Sequence, residues 1–414
     1  MTSGTSLEAR LRQLVASEEL GRHDTGERDL PMVSPRDEGS CATLLKAADT
    51  EGWRLVVLGG GSMSACYPPL YEVDLVLSTK ALCGVVAYEP EDGTLTARVG
   101  TSMAELERTV QEGGHHLSPE VADPEHATLG GVVAGGRSGF DRLRHGSVRE
   151  NVLGMRVALA DGKLVKSGGK LVKNVTGYDL HRLFCGSHGT LGVISEVSLR
   201  LYPKPPAQCV VQATFAERTE ALARVERLSE SPIGPLALLV SDLPGGDGHR
   251  LELVLAGRRD VIEWETERVR EVVPEATVLD PEASQARRQE LREIEGQATL
   301  AFHTTPSALE STLATMTACA LTADSVGSAP SFVLHPRLAT GSVRFKSDTE
   351  LVGLARALSE SGLPARLYWP GIPPEDRLSI PAFPAPSRSA RSLMERLRAS
   401  LDPKGIFATG RFLS

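Results

Sequence analysis

The sequence predicts an α+β protein in two main parts, and three observations carry that prediction. The first is the placement of glycine. Of 40 glycines in 414 residues, 22 fall between Gly59 and Gly192, and only 13 lie after Lys204. The earlier region is therefore built for tight turns and close backbone approach, and the later one is an ordinary domain. The second is a set of short apolar strands joined across Asp-Gly pairs, the strongest short-range hairpin signal. The third is an alternation of helices and strands from about residue 208 to 372, the pattern of a separate α+β unit.

Taken in order, residues 1–25 read as a short helix (Leu7, Leu11, Leu14, Val15) and a loose linker. Ser40 to Thr50 is a helix stopped by Gly52. Arg54 to Leu58 is a buried strand that runs into Gly59-Gly60-Gly61-Ser62, and Asp74 to Leu77 is another strand. Val85–Glu89 and Thr94–Val99 form a hairpin across Asp92-Gly93. Ser102 with Glu105 opens a helix as a capping box, and Gly113-Gly114 ends it. A second hairpin pairs Met155–Ala160 with Lys163–Ser167 across Asp161-Gly162. Val193 to Tyr202 alternates as a strand, and Pro203 and Pro205 close the first part. In the second part Ala216–Ser229, Val261–Val273 and Ala308–Thr317 read as helices. Leu236–Val240, Leu251–Ala256, Ser331–His335 and Ser342–Lys346 read as strands. Ile380–Ser389 reads as a linker before a closing helix over Ser392–Leu401. The expected division is 1–25, 26–204, 205–385 and 386–414.

Composition excludes several classes of function. A net charge of −8 disfavours nucleic acid as a partner. No apolar run approaches the roughly 18–20 residues of a membrane span, and Met1 to Arg12 has no signal-peptide core. The expectation is a cytoplasmic protein with no integral membrane segment. Cysteines stand at 41, 66, 83, 185, 209 and 319 without clustered spacing, so zinc ribbons and iron–sulfur clusters are not expected and no metal ligand is assigned.

Three glycine-rich elements carry the chemistry. Gly59-Gly60-Gly61-Ser62-Met63-Ser64 follows a strand. Its main-chain N–H groups can converge on an anion, with Ser62 and Ser64 adding hydroxyls, and a diphosphate suits such a loop. It has neither the G-x-G-x-x-G of a dinucleotide-type Rossmann site nor the G-K-[ST] of a P-loop. A tight surface turn is the plain alternative. The second element, Ala127 to Gly139, consists almost wholly of small residues and can lie against a ring or a phosphate. A close-packed core helix is its alternative. The third runs from Lys173-Asn174-Val175-Thr176-Gly177-Tyr178-Asp179-Leu180 to Gly186-Ser187-His188-Gly189-Thr190-Leu191-Gly192-Val193-Ile194. It delivers a glycine turn into a strand edge able to face an adenine.

In this order, with Val148-Arg149-Glu150-Asn151-Val152-Leu153-Gly154 and Ala160-Asp161-Gly162 between them, these elements resemble the FAD domain of the vanillyl-alcohol-oxidase type, also called the PCMH-type flavin fold. Ala127 to Pro205 is most similar to the smaller, flavin-binding (E) subunits of bacterial glycolate oxidases. Asp402-Pro403-Lys404-Gly405 resembles the family's ending, whereas Ala408-Thr409-Gly410-Arg411 departs from its usual Asn-Pro-Gly. The resemblance implies a two-part FAD domain, an α+β cap, and a C-terminal helix returning to the FAD domain. It implies that Gly59, Gly60, Gly61, Ser62, Met63 and Ser64 hold the FAD diphosphate. Thr128, Gly130, Gly131, Gly135, Gly136, Ser138 and Gly139 would line diphosphate and flavin from the other side, and Gly189, Val193 and Ile194 would bracket the adenine. Tyr178 and Asp179 would shape the fold around that site. Some members attach flavin covalently through a His near the first loop or through a Cys. No His lies between His23 and His115, and Cys66 falls just past the loop, so non-covalent FAD is expected.

For catalysis the sequence offers less. Oxidising a 2-hydroxy acid needs a cation for the carboxylate and a base for the hydroxyl proton. Related catalytic subunits carry a D-G-N-x-H metal motif. This chain has Gly246-Asp247-Gly248-His249, which reads as a hairpin turn. Arg344 and His335 are the candidates for facing the flavin, ahead of His303 and Arg337. His126 could approach the cofactor, and His115-His116 read as a loop. The resemblance implies a small 2-hydroxy acid or alcohol as substrate, with electrons leaving through a catalytic flavoprotein subunit and an iron–sulfur subunit. The alternatives are a stand-alone FAD oxidase or dehydrogenase, or a flavin-binding structural subunit without its own substrate.

Overall fold

A computed structural model describes residues 4–25, 28–62, 72–169, 178–243, 248–296, 300–322, 331–344, 360, 365–367 and 386–408. The first part begins with helix α1 (Gly4–Leu14), strands β1 (Leu20–Asp24) and β2 (Asp29–Val33), and helix α2 (Glu38–Glu51). Asp37 caps α2 by accepting the Ser40 N–H at 2.8 Å. Strands β3 (Leu55–Leu58) and β4 (Leu75–Ser78) follow. Together they form a four-stranded sheet in the order β1-β2-β4-β3. The pairs of β4 with β2 and with β3 are parallel.

The second sheet is wholly antiparallel. It contains β5 (Val85–Glu89), β6 (Thr94–Arg98), β8 (Val152–Ala158), β9 (Leu164–Gly168) and β10 (Val193–Arg200), in the order β5-β6-β10-β8-β9. Both Asp-Gly hairpins form as the sequence predicts. Helix α3 (Met103–Glu112) starts at Ser102, whose hydroxyl accepts the Glu105 N–H. After it come β7 (His115–His116), α4 (Leu129–Gly135), α5 (Arg142–His145) and α6 (Val148–Asn151). The two sheets share one core, in which Leu55 and Leu77 of the first, with Leu44 and Leu45 of α2, meet Ala158 and Val193 of the second.

Two details differ from the sequence reading. Residues 20–24 are not a linker: β1 pairs with β2 residue for residue, and Leu11 of α1 is buried in the shared core. His115-His116 are not a loop but pair with β11 (Tyr202–Pro203).

The second part is built on one antiparallel sheet. Helix α7 (His181–Phe184) and β10 precede it. It comprises β12 (Ala207–Phe215), β13 (Ala237–Asp242), β14 (His249–Gly257), β15 (Thr277–Val278), β16 (Leu300–His303), β17 (Ser331–His335), β18 (Thr340–Arg344) and β19 (Ala365–Leu367). The order is β15-β12-β14-β13-β17-β18-β16-β19. Alternate residues enter two cores. Leu238, Val240, Leu251 and Leu253 face α8 (Arg218–Ser229), α9 (Arg259–Val272) and α11 (Leu309–Thr322). Ala237, Leu239 and Val254 face Leu291 of α10 (Pro281–Gly296) and Phe140 of the first part. Across that second face, Glu252 and Arg287 form a buried two-pronged ion pair at 2.6 and 2.8 Å.

Helix α12 (Arg388–Leu401), capped by Ser387, leads back to the first part. The Leu55 N–H donates to the Ile406 carbonyl (2.8 Å), and the Ala408 N–H donates to the Leu55 carbonyl (2.9 Å). Residues 406–408 thus flank β3 on the side away from β4, and Ile406 and Phe407 are buried in the shared core.

Candidate cofactor-binding site

The C-terminal end of β3 releases the chain into Gly59-Gly60-Gly61-Ser62, directly against the start of α4. Thr128 joins the two. Its hydroxyl caps α4 by accepting the Gly131 N–H at 3.3 Å and also accepts the Gly60 N–H at 3.2 Å. The Leu129 and Gly130 N–H groups donate to the Thr101 and Val99 carbonyls at 3.0 and 2.8 Å. The main-chain donors of Gly60, Gly130 and Gly131 are thus already engaged within the protein. What these glycines offer a ligand is bare backbone surface.

Glycine is required here by contact. A Cβ on Gly60 would lie 1.6 Å from the His126 carbonyl oxygen. Gly189 has φ of +75°, and a Cβ there would also press on Val57 at 3.0 Å. Two backbone segments close to this degree only without side chains.

These elements enclose a cavity of about 190 Å³. Its lining includes Gly59, Gly60, Gly61, Ser62, Thr128, Gly130, Gly131, Gly135, Gly189 and Ile194, ten of the residues singled out by sequence. Its walls also carry Val57, Val99, Val121 and Val132, flat apolar surface for a ring system. Arg137 is the one Lys or Arg among the described lining residues, and Asp123 the one acid. Bare backbone, apolar walls and a single guanidinium are what a flat dinucleotide with a diphosphate needs. The residues present therefore fit FAD.

Four expected contacts fall elsewhere. Gly136 ends α4 and packs on Gly186, and a Cβ on Gly139 would strike Glu120 at 2.8 Å. The Ser138 hydroxyl accepts the Val148 N–H at 3.0 Å. Val193 is fully buried in the core shared by the two sheets, paired opposite Ala158. None of the four lines the cavity. Met63, Ser64, Cys66 and residues 170–177 lie outside the described residues. Tyr178 is 91% exposed and Asp179 pairs with Arg182.

Arg137, His188 and the stretch Val121–Asp123 line the cavity without having been assigned. His188 adopts a left-handed φ of 54° between Ser187 and Gly189, and its N–H donates to the Ala134 carbonyl at 2.9 Å. Its place inside the Gly-Ser-His-Gly turn was the available signal.

Of the catalytic candidates, His335 and His303 are not among the residues that line the cavity. His335 is buried with its ring stacked on Phe140 at 5.3 Å between centroids. Burial, reinforced by Arg142, pushes its pKa down to about 4, so it is a neutral interior ring. Arg344 closes β18 opposite Ser331. His303 ends β16. His126 is exposed and its Nδ1 lies 3.0 Å from Asp123. His249 pairs with Asp242 at 2.8 Å across the β13–β14 hairpin, which agrees with a turn, although Asp247 lies outside the described residues.

Beside the cavity, Glu120 ties the two parts of the chain. It accepts from Arg288 and Arg292 of α10 at 2.6 and 2.5 Å. Burial would raise its pKa, but the two guanidinium groups hold it below the usual carboxylate range. Asp141 is pushed up to about 7, first by burial and then by Glu120. Arg144 adds a bond to the Ala256 carbonyl at 2.7 Å and another to Gly234.

A mixed sheet feeding a glycine loop, a second antiparallel sheet, and an α+β part packed on Glu120 and the Phe140–Arg144 segment agree with a PCMH-type flavin fold. Residues 31–168 match the FAD binding domain family. The chain therefore carries an FAD-binding domain, and FAD is its cofactor; its fold is that of PCMH-type structures. It is 35% identical over 201 residues to glycolate oxidase subunit GlcE of Escherichia coli (strain K12), covering 47% of this chain and 57% of that protein. It is 30% identical over 213 residues to glycolate oxidase subunit GlcD of Bacillus subtilis (strain 168), covering 51% and 45%. The chain thus spans about half the length of these relatives. A structure of p-cresol methylhydroxylase with substrate bound matches with a TM-score of 0.77 at 15% identity, over 99% of this chain and 97% of that one. No helix among the described residues is long and apolar enough to cross a membrane.

Proposed function

We propose that this chain is an FAD-dependent oxidoreductase subunit of the glycolate-oxidase E kind, acting in the oxidation of a small 2-hydroxy acid. The likeness to GlcE is the observation that carries this reading. When bound, FAD supplies the two-electron acceptor for the substrate's hydride. The chain's part is to bind and shield it. The bare backbone of Gly59–Gly61 and Gly130–Gly131 lets the diphosphate approach, Arg137 balances its charge, and Val57, Val99 and Ile194 keep water from the rings. The electrons leave through partners, a catalytic flavoprotein subunit and an iron–sulfur subunit. The relatives' description as subunits supports that arrangement.

Anaerobic mixing of the FAD-loaded chain with glycolate or D-lactate tests this reading through bleaching of the flavin band. The expected result is bleaching only when the partner flavoprotein subunit is present. Bleaching by the chain alone would make it a self-sufficient dehydrogenase, and a chain that takes up no flavin would overturn the reading at its base.

A further inference from the structure

Next to the cofactor cleft the fold brings His116 to a pair of side chains, Asp141 and His145, that one turn of helix sets four residues apart. β7 brings His116, the residue before α5 is Asp141, and α5 ends in His145. One ligand atom from each lies within 4.8 Å of the other two. His116 Nδ1 and His145 Nε2 are buried and have no hydrogen-bond partner. Leaving a buried polar atom unmade is costly, and here two such atoms sit in one place.

Their surroundings hold them for a ligand. The His116 ring lies beside the rings of His145 and Tyr202, with centroids 5.3 and 6.0 Å away. With no hydrogen bond made at Nδ1, the neutral ring can present the lone pair of that nitrogen. The His145 ring stacks on Tyr202 with centroids 3.8 Å apart. The Tyr202 hydroxyl donates to the His145 carbonyl or to Asn151 Oδ1, at 3.0 and 2.8 Å, and so fixes the end of α5. Asp141 is 2% exposed, and its closest cation, Arg288, stands 3.4 Å away.

We propose that His116 Nδ1, His145 Nε2 and the Asp141 carboxylate form a site for one divalent transition-metal ion. Two neutral imidazoles and one carboxylate are a borderline donor set suited to Zn²⁺, with a fourth position left for water. Atoms around a tetrahedral ion with bonds of about 2.0–2.1 Å stand roughly 3.3 Å apart, so the loaded site draws the three closer by small side-chain rotations. Charge around it is near balance: Glu107, Glu120 and Asp141 stand against Arg144, Arg288 and Arg292. The ion acts as a brace. Phe140 stacks on His335 of the cap, and Arg144 bonds the cap backbone. Fixing Asp141 and His145 therefore fixes the short segment on which the cap rests.

The test uses the full chain, stripped with a chelator and titrated with Zn²⁺ by calorimetry and with Co²⁺ by visible absorption. One ion per chain is expected, with the intense ligand-field bands of tetrahedral Co²⁺ and a rise in melting temperature. His145→Gln and Asp141→Asn should each weaken binding at least about 100-fold, since loss of even an outer-shell partner costs 10–100-fold. His23→Gln, far from the site in sequence and on β1, should leave binding unchanged. Absence of stoichiometric binding by the unaltered chain would overturn the proposal, whatever the variants do. Full binding by both variants, with melting curves showing them folded, would place the ion elsewhere and overturn it as well.

Discussion

Replacing Thr128 with valine removes one oxygen atom from the point where the two glycine elements meet, and its cost can be worked from the structure. The hydroxyl accepts two backbone N–H groups, Gly131 at 3.3 Å and Gly60 at 3.2 Å, at a residue 4% exposed. Losing a helix N-cap costs about 0.5–2 kcal/mol. Leaving a buried donor without an acceptor costs about 1–3 kcal/mol. The two terms add to about 1.5–5 kcal/mol, or about 3–20 °C in melting temperature for a domain of this size. The substituted chain should also lose FAD on gel filtration, because the Gly60 loop is no longer tied to α4. Thr128→Ser keeps the oxygen and should retain most of both properties. The measurement is a thermal melt of each variant with flavin absorbance per chain. If Thr128→Val melts with the unaltered protein and keeps its flavin, the bridging role is refuted. If Thr128→Ser is equally damaged, the methyl group matters and the hydroxyl does not.

Gly60→Ala should abolish FAD retention, because a Cβ 1.6 Å from the His126 carbonyl forces the loop outward; a variant of normal flavin content would show that the two segments are free to separate. Glu252→Gln strips the negative partner from buried Arg287 and should cost about 3–5 kcal/mol in denaturant titration, whereas exchanging both residues for leucine should restore much of it. His335 has a folded pKa near 4 against an ordinary 6.5, so the unfolded chain takes up its proton first as pH falls. Stability from this group is full above pH 6.5 and is lost on the way down to about 4, about 3 kcal/mol in total; His335→Gln should flatten that limb of a pH–stability curve, and an unchanged limb would assign it to other groups. Acid precipitation should leave the flavin in the supernatant, since attachment is expected to be non-covalent; a yellow pellet would show a covalent link.

The parts of the fold legible in the sequence were those set by local chemistry. Asp92-Gly93 and Asp161-Gly162 fix hairpins within a few residues, and the glycine loops mark places where backbones touch. Helix α10 was not legible because its inner face is Ser284, Arg287 and Leu291. Two of those three are polar, and their partners Glu252 and the Val210 N–H lie on other strands. β1 was hidden for a related reason: it is an edge strand of mostly polar, exposed residues, recognisable only by what it pairs with. In the site, the glycines were legible while the direction of their N–H groups was not. That direction depends on Thr128 Oγ1 and on the Val99 and Thr101 carbonyls, which arrive from elsewhere in the chain. Val193 sits in a motif that borders the cavity, yet strand alternation turns it into the core. Asp141 and His145 are one helical turn apart, but His116 lies 25 residues before Asp141 and only tertiary packing brings it to them.

The flanking of β3 by residues 406–408 has a consequence for the order of assembly. The strand that launches the Gly59–Ser62 loop gets its second neighbour only from a segment made more than 340 residues later. A nascent chain leaving the ribosome can complete the cap sheet while β3 still lacks that neighbour, and closing so long a loop is slow. Flavin capture therefore reports completion: a polypeptide broken off at residue 400 would carry every glycine of the site and still lack the strand edge that steadies the first of them.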